Sequence, residues 1–390
     1  MQYNFDEVIK RDGTNSLKYD GKDRYFGTQD VLPLWVADMD FRTPDFIMKA
    51  IRKRAEHEIL GYSIKPQSIF DSVINWMQRR HQWNIKQEWI GFTPGVVAAL
   101  NIGVLAFTNP GDKVIIQTPV YFPFFTVIKD HNREIAVNEL KWENDEYTMD
   151  MKHLESIIDS KTKVFILCNP HNPVGRVWRR EELLALGNLC VKNKIIIIAD
   201  EIHSDLIMPG NTHIPMASLS DEIAAITITT MAPSKTFNVA GLASSVSIIS
   251  NPQLKQKFEK LPNSFHIGSG NIFGTIAMEA AYTHGDEWLS QMITYLNDNI
   301  NFVEKYSTEN FKDIKVIRPE GTYMIWLDCK KLGEKVGDLK SFFINKAKVG
   351  FNYGADFGLG GNGYMRINVG CSREIIKAAL FSIKDAINTL

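Results

Sequence analysis

Lys235, Asp200 and Asn172 each stand just beyond an apolar run, and their types suit one kind of chemistry. Lys235 lies in Met231-Ala232-Pro233-Ser234-Lys235-Thr236-Phe237, past a β-branched run over residues 224–230 that reads as a buried strand. A lysine at the mouth of such a strand is costly to keep charged, because desolvation moves its pKa toward neutrality. A neutral amine attacks aldehydes, so a Schiff base is its natural use. Taken alone, Lys235 reads more readily as a solvated loop lysine. Asp200 follows Ile195-Ile196-Ile197-Ile198-Ala199 directly. A carboxylate at a buried strand end requires a cationic partner or a full set of hydrogen bonds. A protonated pyridine nitrogen is one such partner; a helix cap is the plainer role. His203, three residues on, can orient a ring or be a satisfied core histidine. A metal site there lacks a second histidine at ligand spacing. Asn172 sits in Asn169-Pro170-His171-Asn172-Pro173-Val174-Gly175, where two prolines fix the backbone and the amide can meet a phenolic oxygen.

Two further stretches bear on the same chemistry. Thr93-Pro94-Gly95-Val96-Val97 feeds an apolar helix, so free backbone N–H groups are available to an anion. In Leu34-Trp35-Val36-Ala37-Asp38-Met39-Asp40-Phe41 two aspartates interrupt an aromatic, apolar segment; they are turn formers or they line a pocket. Gly358-Leu359-Gly360-Gly361-Asn362-Gly363 matches the dinucleotide pattern but precedes a strand-like segment instead of following one, so it reads as a loop. No phosphate-binding G-x-x-x-x-G-K-[ST] segment is present.

The elements that must position these groups alternate. Strands are expected over residues 113–117, 134–140, 163–168 and 195–199, and helices over 43–60, 68–81 and 181–193. Strands apolar on both faces indicate a mostly parallel sheet sandwiched by helices, and ligands collect at the carboxyl ends of such strands. Past Ser250 the pattern turns helical over 251–260, 271–284 and 286–307. Short strands follow at 314–317, 323–328 and 364–369, with helices at 338–348 and 373–390. The expected division is an N-terminal segment at 1–45, a large domain at 46–287 and a small α+β domain at 288–390, the small unit drawing on both chain ends. A chain of 390 residues, 44% hydrophobic and 23% charged, builds a sizeable core, and a net charge of −1 points to neither nucleic acid nor a membrane surface. Cys168, Cys190, Cys329 and Cys371 show no metal spacing and read as buried thiols. With no signal-like N-terminus and no apolar run of membrane-spanning length, a reducing cytoplasm is expected.

Asn172-Pro173-x-Gly175, Asp200-x-x-His203, Ser234-Lys235 and Arg366-Ile367-Asn368, in that order, resemble the fold-type I pyridoxal-phosphate enzymes of the class I/II aminotransferase superfamily. The resemblance runs from about Trp35 to the last helix. Residues 35–41, 200–205 and 232–238 are similar to the cystathionine β-lyase/cystalysin branch, whose members cleave carbon–sulfur bonds. The resemblance implies pyridoxal 5′-phosphate as cofactor, Lys235 in the internal aldimine, Asp200 on the pyridine nitrogen and Asn172 on the phenolic oxygen. It implies Tyr121 stacked on the ring, with His203 and Ser234 nearby. Gly95, Val96 and Val97 would meet the phosphate, joined by Tyr62 from the other subunit of a homodimer. Arg366 would hold the substrate carboxylate, with Ala37 and Asp38 beside the substrate. The sequence departs from common relatives at His203, often tyrosine, at Ala232, often serine, and at Ala243, often arginine. These departures favour the lyase branch over an aspartate-type aminotransferase. The expected reaction is β-elimination from cystathionine, cysteine or another S-substituted cysteine, with transamination, or an added regulator-binding role, as the rival readings.

Overall fold

A computed structural model describes residues 2–268 and 270–390. Its centre is a seven-stranded sheet in the spatial order Ile90–Thr93, Ser245–Ile248, Thr227–Met231, Ile196–Asp200, Thr162–Cys168, Lys113–Thr118 and Glu134–Glu139. Ser245–Ile248 runs antiparallel to both neighbours, and the remaining pairs are parallel. The four isoleucines show why the sheet is buried on both faces. Ile197 and Ala199 point into one apolar cluster with Leu183 and Leu186 of the helix Arg180–Asn193. Ile198 points the other way, into a cluster with Leu100 and Val104 of the helix Val96–Phe107. Alternation along an extended chain thus gives each helix layer its own set of side chains.

Register then fixes the site. Cys168 pairs with Asp200, and Asp200 with Thr230, so the carboxyl ends of three adjacent strands lie level. Each strand stops there for its own reason. Asn169-Pro170 and Asn172-Pro173 end one, a turn bonded to the Asp200 carboxylate ends the next, and Pro233 begins a single helical turn, Pro233–Thr236, that carries Lys235.

The second sheet is antiparallel throughout, in the order Lys315–Ile317, Met324–Asp328, Tyr364–Asn368 and Asn352–Tyr353. Asp286–Asn310 and Arg373–Asn388 pack beside it. Leu32–Pro33 pairs in parallel with Val349–Gly350, so the beginning of the chain is joined to its last quarter. The two sheets meet at the Asn172 turn. The N–H groups of Glu320 and Gly321 both donate to the Gly175 carbonyl, and the Glu320 carboxylate accepts from Arg176 and from the Val177 amide. Gly175 has φ of +78°, and a Cβ there would lie 2.5 Å from Pro319 Cβ and 2.7 Å from its Cα. Gly175→Ala is therefore expected to lose about 2–4 kcal/mol in a urea unfolding series, since both the backbone conformation and the joint oppose it. An unchanged midpoint would show that the joint yields freely.

Several boundaries differ from expectation. The first long helix is Asp45–Ala55, not 43–60, and Pro44 stands at its cap; the Thr43 hydroxyl donates instead to the Asn238 carbonyl. Ile59 and Leu60, expected at the end of that helix, are exposed together with Ile64 in a stretch without regular structure. The strands Ile90–Thr93 and Ser245–Ile248 and the helix Pro123–Lys129 were not anticipated, because four- to seven-residue elements carry little periodicity. The 338–348 helix is a short turn, Leu339–Ser341, followed by a wider one over Phe342–Lys346 in which Ala347 N–H reaches Phe342 O. The glycine-rich segment at 358–363 is a loop preceding Tyr364–Asn368, as its position required.

Candidate active site

A cavity of about 370 Å³ opens at the level strand ends. Ala37, Gly95, Val96, Val97, Tyr121, Asn172, Asp200, His203, Ser234 and Lys235 all line it, so ten residues singled out from sequence converge although they span most of the chain.

Lys235 Nζ donates to the Ala37 carbonyl at 2.6 Å, and the Tyr323 hydroxyl donates to the same oxygen at 2.9 Å. Burial pushes the Lys235 amine down to about 8; Arg366 acts the same way, while Asp38 and Asp200 oppose it. Asp200 is buried and accepts from the Ile202 amide at 3.1 Å. Desolvation raises its carboxyl to about 7, against the pull of that amide and of Lys235. A buried carboxylate with so little compensation is suited to a cationic ring nitrogen. His203 is held far below its usual value, first by burial and then by Lys235 and Arg366, and its Nδ1 is buried without a hydrogen bond. Its ring meets Tyr323 edge-on at 6.1 Å between centroids.

Arg366 comes from the second sheet and is 2% exposed. Its Nη1 donates to Asn172 Oδ1 at 2.8 Å, and its Nη2 to the Trp35 carbonyl at 2.9 Å and to Asn352 Oδ1 at 2.6 Å. Its Nε is buried without an acceptor. With Asn172 Oδ1 occupied by the guanidinium, the amide Nδ2 is the end free to donate into the cavity. Opposite, the helix Val96–Phe107 begins at Gly95, and its first turn of amides supplies donors to an anion.

The lysine turn is braced from below. Thr236 Oγ1 donates to Asp205 Oδ2 at 2.9 Å, and Asp205 Oδ1 lies 3.1 Å from both Trp76 Nε1 and His81 Nε2. Burial alone would raise the Asp205 carboxyl, but the bond from His81 holds it below its ordinary value.

Three expected residues lie outside the cavity lining: Arg366, which reaches it through Asn172, and Tyr62 and Asp38. Tyr62 is fully exposed and borders a separate surface hollow with Lys65, Phe92 and Glu259. Asp38 is outside the cavity lining; Arg11 binds its carboxylate through two nitrogens, at 3.1 and 2.7 Å. Sequence reasoning missed Cys168, Ser244, Tyr323 and Asn352. Ser244 was within reach, since it adjoins the noted Ala243 and both line the cavity. Tyr323 and Asn352 carry no local signal and are brought in only by the second sheet.

A lysine, a strand-end carboxylate, an amide and a helix N-terminus thus border one cavity. The chain belongs to the class I and II aminotransferase family, whose model matches residues 29–383. It is similar to cystathionine beta-lyase PatB of Bacillus subtilis (strain 168), 44% identical over 99% of this chain and 100% of that protein. Among solved structures, the pyridoxal-phosphate-containing cystalysin of Treponema denticola is 38% identical with a TM-score of 0.96, covering both chains in full. A PLP-bound chain of Clostridium difficile 630 that carries an aminotransferase name is 44% identical with a TM-score of 0.97, over 99% of this chain and 100% of that one.

Proposed function

We propose that the protein is a pyridoxal-phosphate-dependent carbon–sulfur β-lyase acting on cystathionine or another S-substituted cysteine, with a thiol, pyruvate and ammonia as products. The observation that carries the choice of lyase is the full-length similarity to a cystathionine β-lyase at 44% identity. Alanine at 243, in the cavity wall, agrees with it.

The residues present fit the cofactor, since the uncompensated buried carboxylate of Asp200 and the open helix N-terminus call for a cation and an anion at the two ends of one cavity. When bound, pyridoxal phosphate supplies an electron-withdrawing ring that stabilises negative charge at the substrate Cα. Asp200 keeps the ring nitrogen protonated, and Asn172 Nδ2 donates to the phenolic oxygen. Tyr121 covers a ring face, and His203 and Ser234 complete the ring's surroundings. Gly95, Val96 and Val97 bind the phosphate through backbone N–H groups. Arg366 fixes the substrate carboxylate, its Nε being a buried donor in want of an acceptor. With the cofactor and substrate bound, Lys235 would take the Cα proton; burial pushes its amine down to about 8, which suits a group that must both accept and return a proton.

The reading extends to a homodimer in which Tyr62 reaches the partner's phosphate site. What supports it is the full exposure of Tyr62 together with that of Ile59, Leu60 and Ile64, an apolar segment left uncovered among the described residues. It also takes residues 288–390 with the N-terminal segment as a small domain. A reducing cytoplasm suits four cysteines that are all buried and unpaired; among the described residues no helix is long and apolar enough to cross a membrane.

The test is to incubate purified protein with L-cystathionine and, separately, L-cysteine, and to assay pyruvate with no keto acid added. Stoichiometric pyruvate with free thiol or sulfide is expected. No pyruvate, with a keto-acid-dependent change of the cofactor to its amine form, would identify an aminotransferase instead.

A further inference from the structure

The N-terminal residues hold a cluster of charge, part of it fully buried, outside the cavity. Lys18 is fully buried, and its Nζ lies 2.8 Å from Asp40 Oδ2 and 4.0 Å from Asp38 Oδ1. Arg11 bridges the same two carboxylates, with Nη1 2.6 Å from Asp40 Oδ1 and Nη2 2.7 Å from Asp38 Oδ2. Its Nη1 also donates to the Met39 carbonyl at 3.3 Å, and the Tyr19 hydroxyl donates to Asp40 at 3.1 Å. Two cations against two carboxylates make a balanced clamp.

The clamp grips a strap of backbone, residues 35–41, whose carbonyls face the catalytic groups. The Trp35 carbonyl accepts from Arg366, and the Ala37 carbonyl accepts from Lys235 and Tyr323. Those of Val36 and Asp38 accept from Asn368 Nδ2, each at 2.6 Å. The same strap therefore touches both the nucleophilic amine and the guanidinium, and its side chains at 38 and 40 are the ones the clamp holds.

We propose that Arg11 and Lys18 are positioning residues: through Asp38 and Asp40 they hold the Ala37 carbonyl against Lys235, and Arg11 balances the charge that Asp38 presents to that lysine. The proposal rests on Lys235 being the cofactor's lysine. The charged and titratable groups around Lys235 are Asp38 on the strap, Asp200 at its strand's end and His203 past it, Cys168 on the neighbouring strand, Arg366 and Tyr323 from the second sheet, and Tyr121. Asp38 raises the lysine's pKa and Arg366 lowers it. Removing the Arg11 cation leaves Asp38 with Lys18 alone, at 4.0 Å, so more of its charge reaches the lysine, and removing the Asp38 charge has the opposite sign.

The experiment is a pH titration of the cofactor's visible absorption in the holoenzyme. Arg11→Met is expected to move the midpoint up by about 0.5–1 unit, and Asp38→Asn to move it down by about as much. The double substitution Arg11→Met/Asp38→Asn returns it close to wild type, and Arg11→Lys restores most of it. A merely structural clamp would lower thermal stability in all four without opposite shifts. Midpoints that stay fixed, or that move in one direction for both single variants, overturn the proposal. Should Arg11→Met not fold, the sign of the Asp38→Asn shift decides alone. A wild-type absorption that does not titrate, or that Lys235→Ala leaves unchanged, overturns the assignment of Lys235 and the proposal with it.

Discussion

Lys235→Ala is expected to abolish pyruvate release, by roughly 10⁴-fold or more, while leaving the fold intact. On the proposed reading the residue combines two roles, nucleophile toward the cofactor aldehyde and base at the substrate Cα. Of the other titratable groups in the wall, Asp200 would be committed to the ring nitrogen, and His203 is held neutral by burial and two nearby cations. The side chain is half-buried at the edge of the cavity and anchored only to the Ala37 carbonyl, so truncation leaves space but no orphaned charge. An unfolding midpoint close to wild type, together with lost absorption and lost turnover, is the expected result. Substantial pyruvate release by Lys235→Ala would mean that another group takes the Cα proton.

Asp200→Asn should cost about 10²–10³-fold in kcat while changing KM little, because the carboxylate acts on charge that develops during the reaction and not on substrate binding. The substitution also gives a pH signature in the cofactor-free protein. Folding raises the Asp200 pKa from 3.8 to about 7, so the folded state holds its proton more tightly than the unfolded chain does. The stability from this group is fully present below about 3.8 and is lost as pH rises toward about 7. Glu201, raised to about 8 by burial, adds a slope of the same sign. Urea unfolding of the cofactor-free protein across this range should therefore show a declining stability that is shallower, but not flat, in Asp200→Asn. Identical slopes in the two proteins would mean that Asp200 is already ionised without a cation beside it.

The elements that present these residues were legible where the sequence repeats a simple rule. Four consecutive isoleucines can only belong to a strand covered on both sides, and the next residue must then lie at the strand's end, which located Asp200. The same argument located Lys235 beyond 224–230 and Asn172 beyond 163–168. The order of three adjacent strand ends was not legible, because it depends on crossovers and pairing between distant segments. Ser245–Ile248 escaped notice for a related reason: serines at its first and third positions lower its apolar signal, although all four residues are buried. Asp38 and Asp40 were recognised as anomalies in an aromatic segment, but their partners lie at positions 11 and 18, in a stretch with no periodicity. Charge pairing across such a gap is a tertiary fact. Arg366 was found through the likeness of its motif, whereas Asn352, which accepts from its Nη2, offers only an ordinary asparagine to the reader of the sequence.

The four cysteines bear on how such a catalyst survives its own chemistry. Each turnover of the proposed reaction liberates a thiol, and once such a thiol has been oxidised to a disulfide it exchanges with any accessible protein thiolate. Cys190, Cys329 and Cys371 are enclosed in the core, and Cys168, although it faces the cavity, donates to the Pro170 carbonyl at 3.4 Å. Burial pushes the Cys168 thiol well above its ordinary range, which starves it of the thiolate needed for attack. An enzyme built this way can work in its own sulfur-rich effluent without mixed disulfides accumulating on its surface.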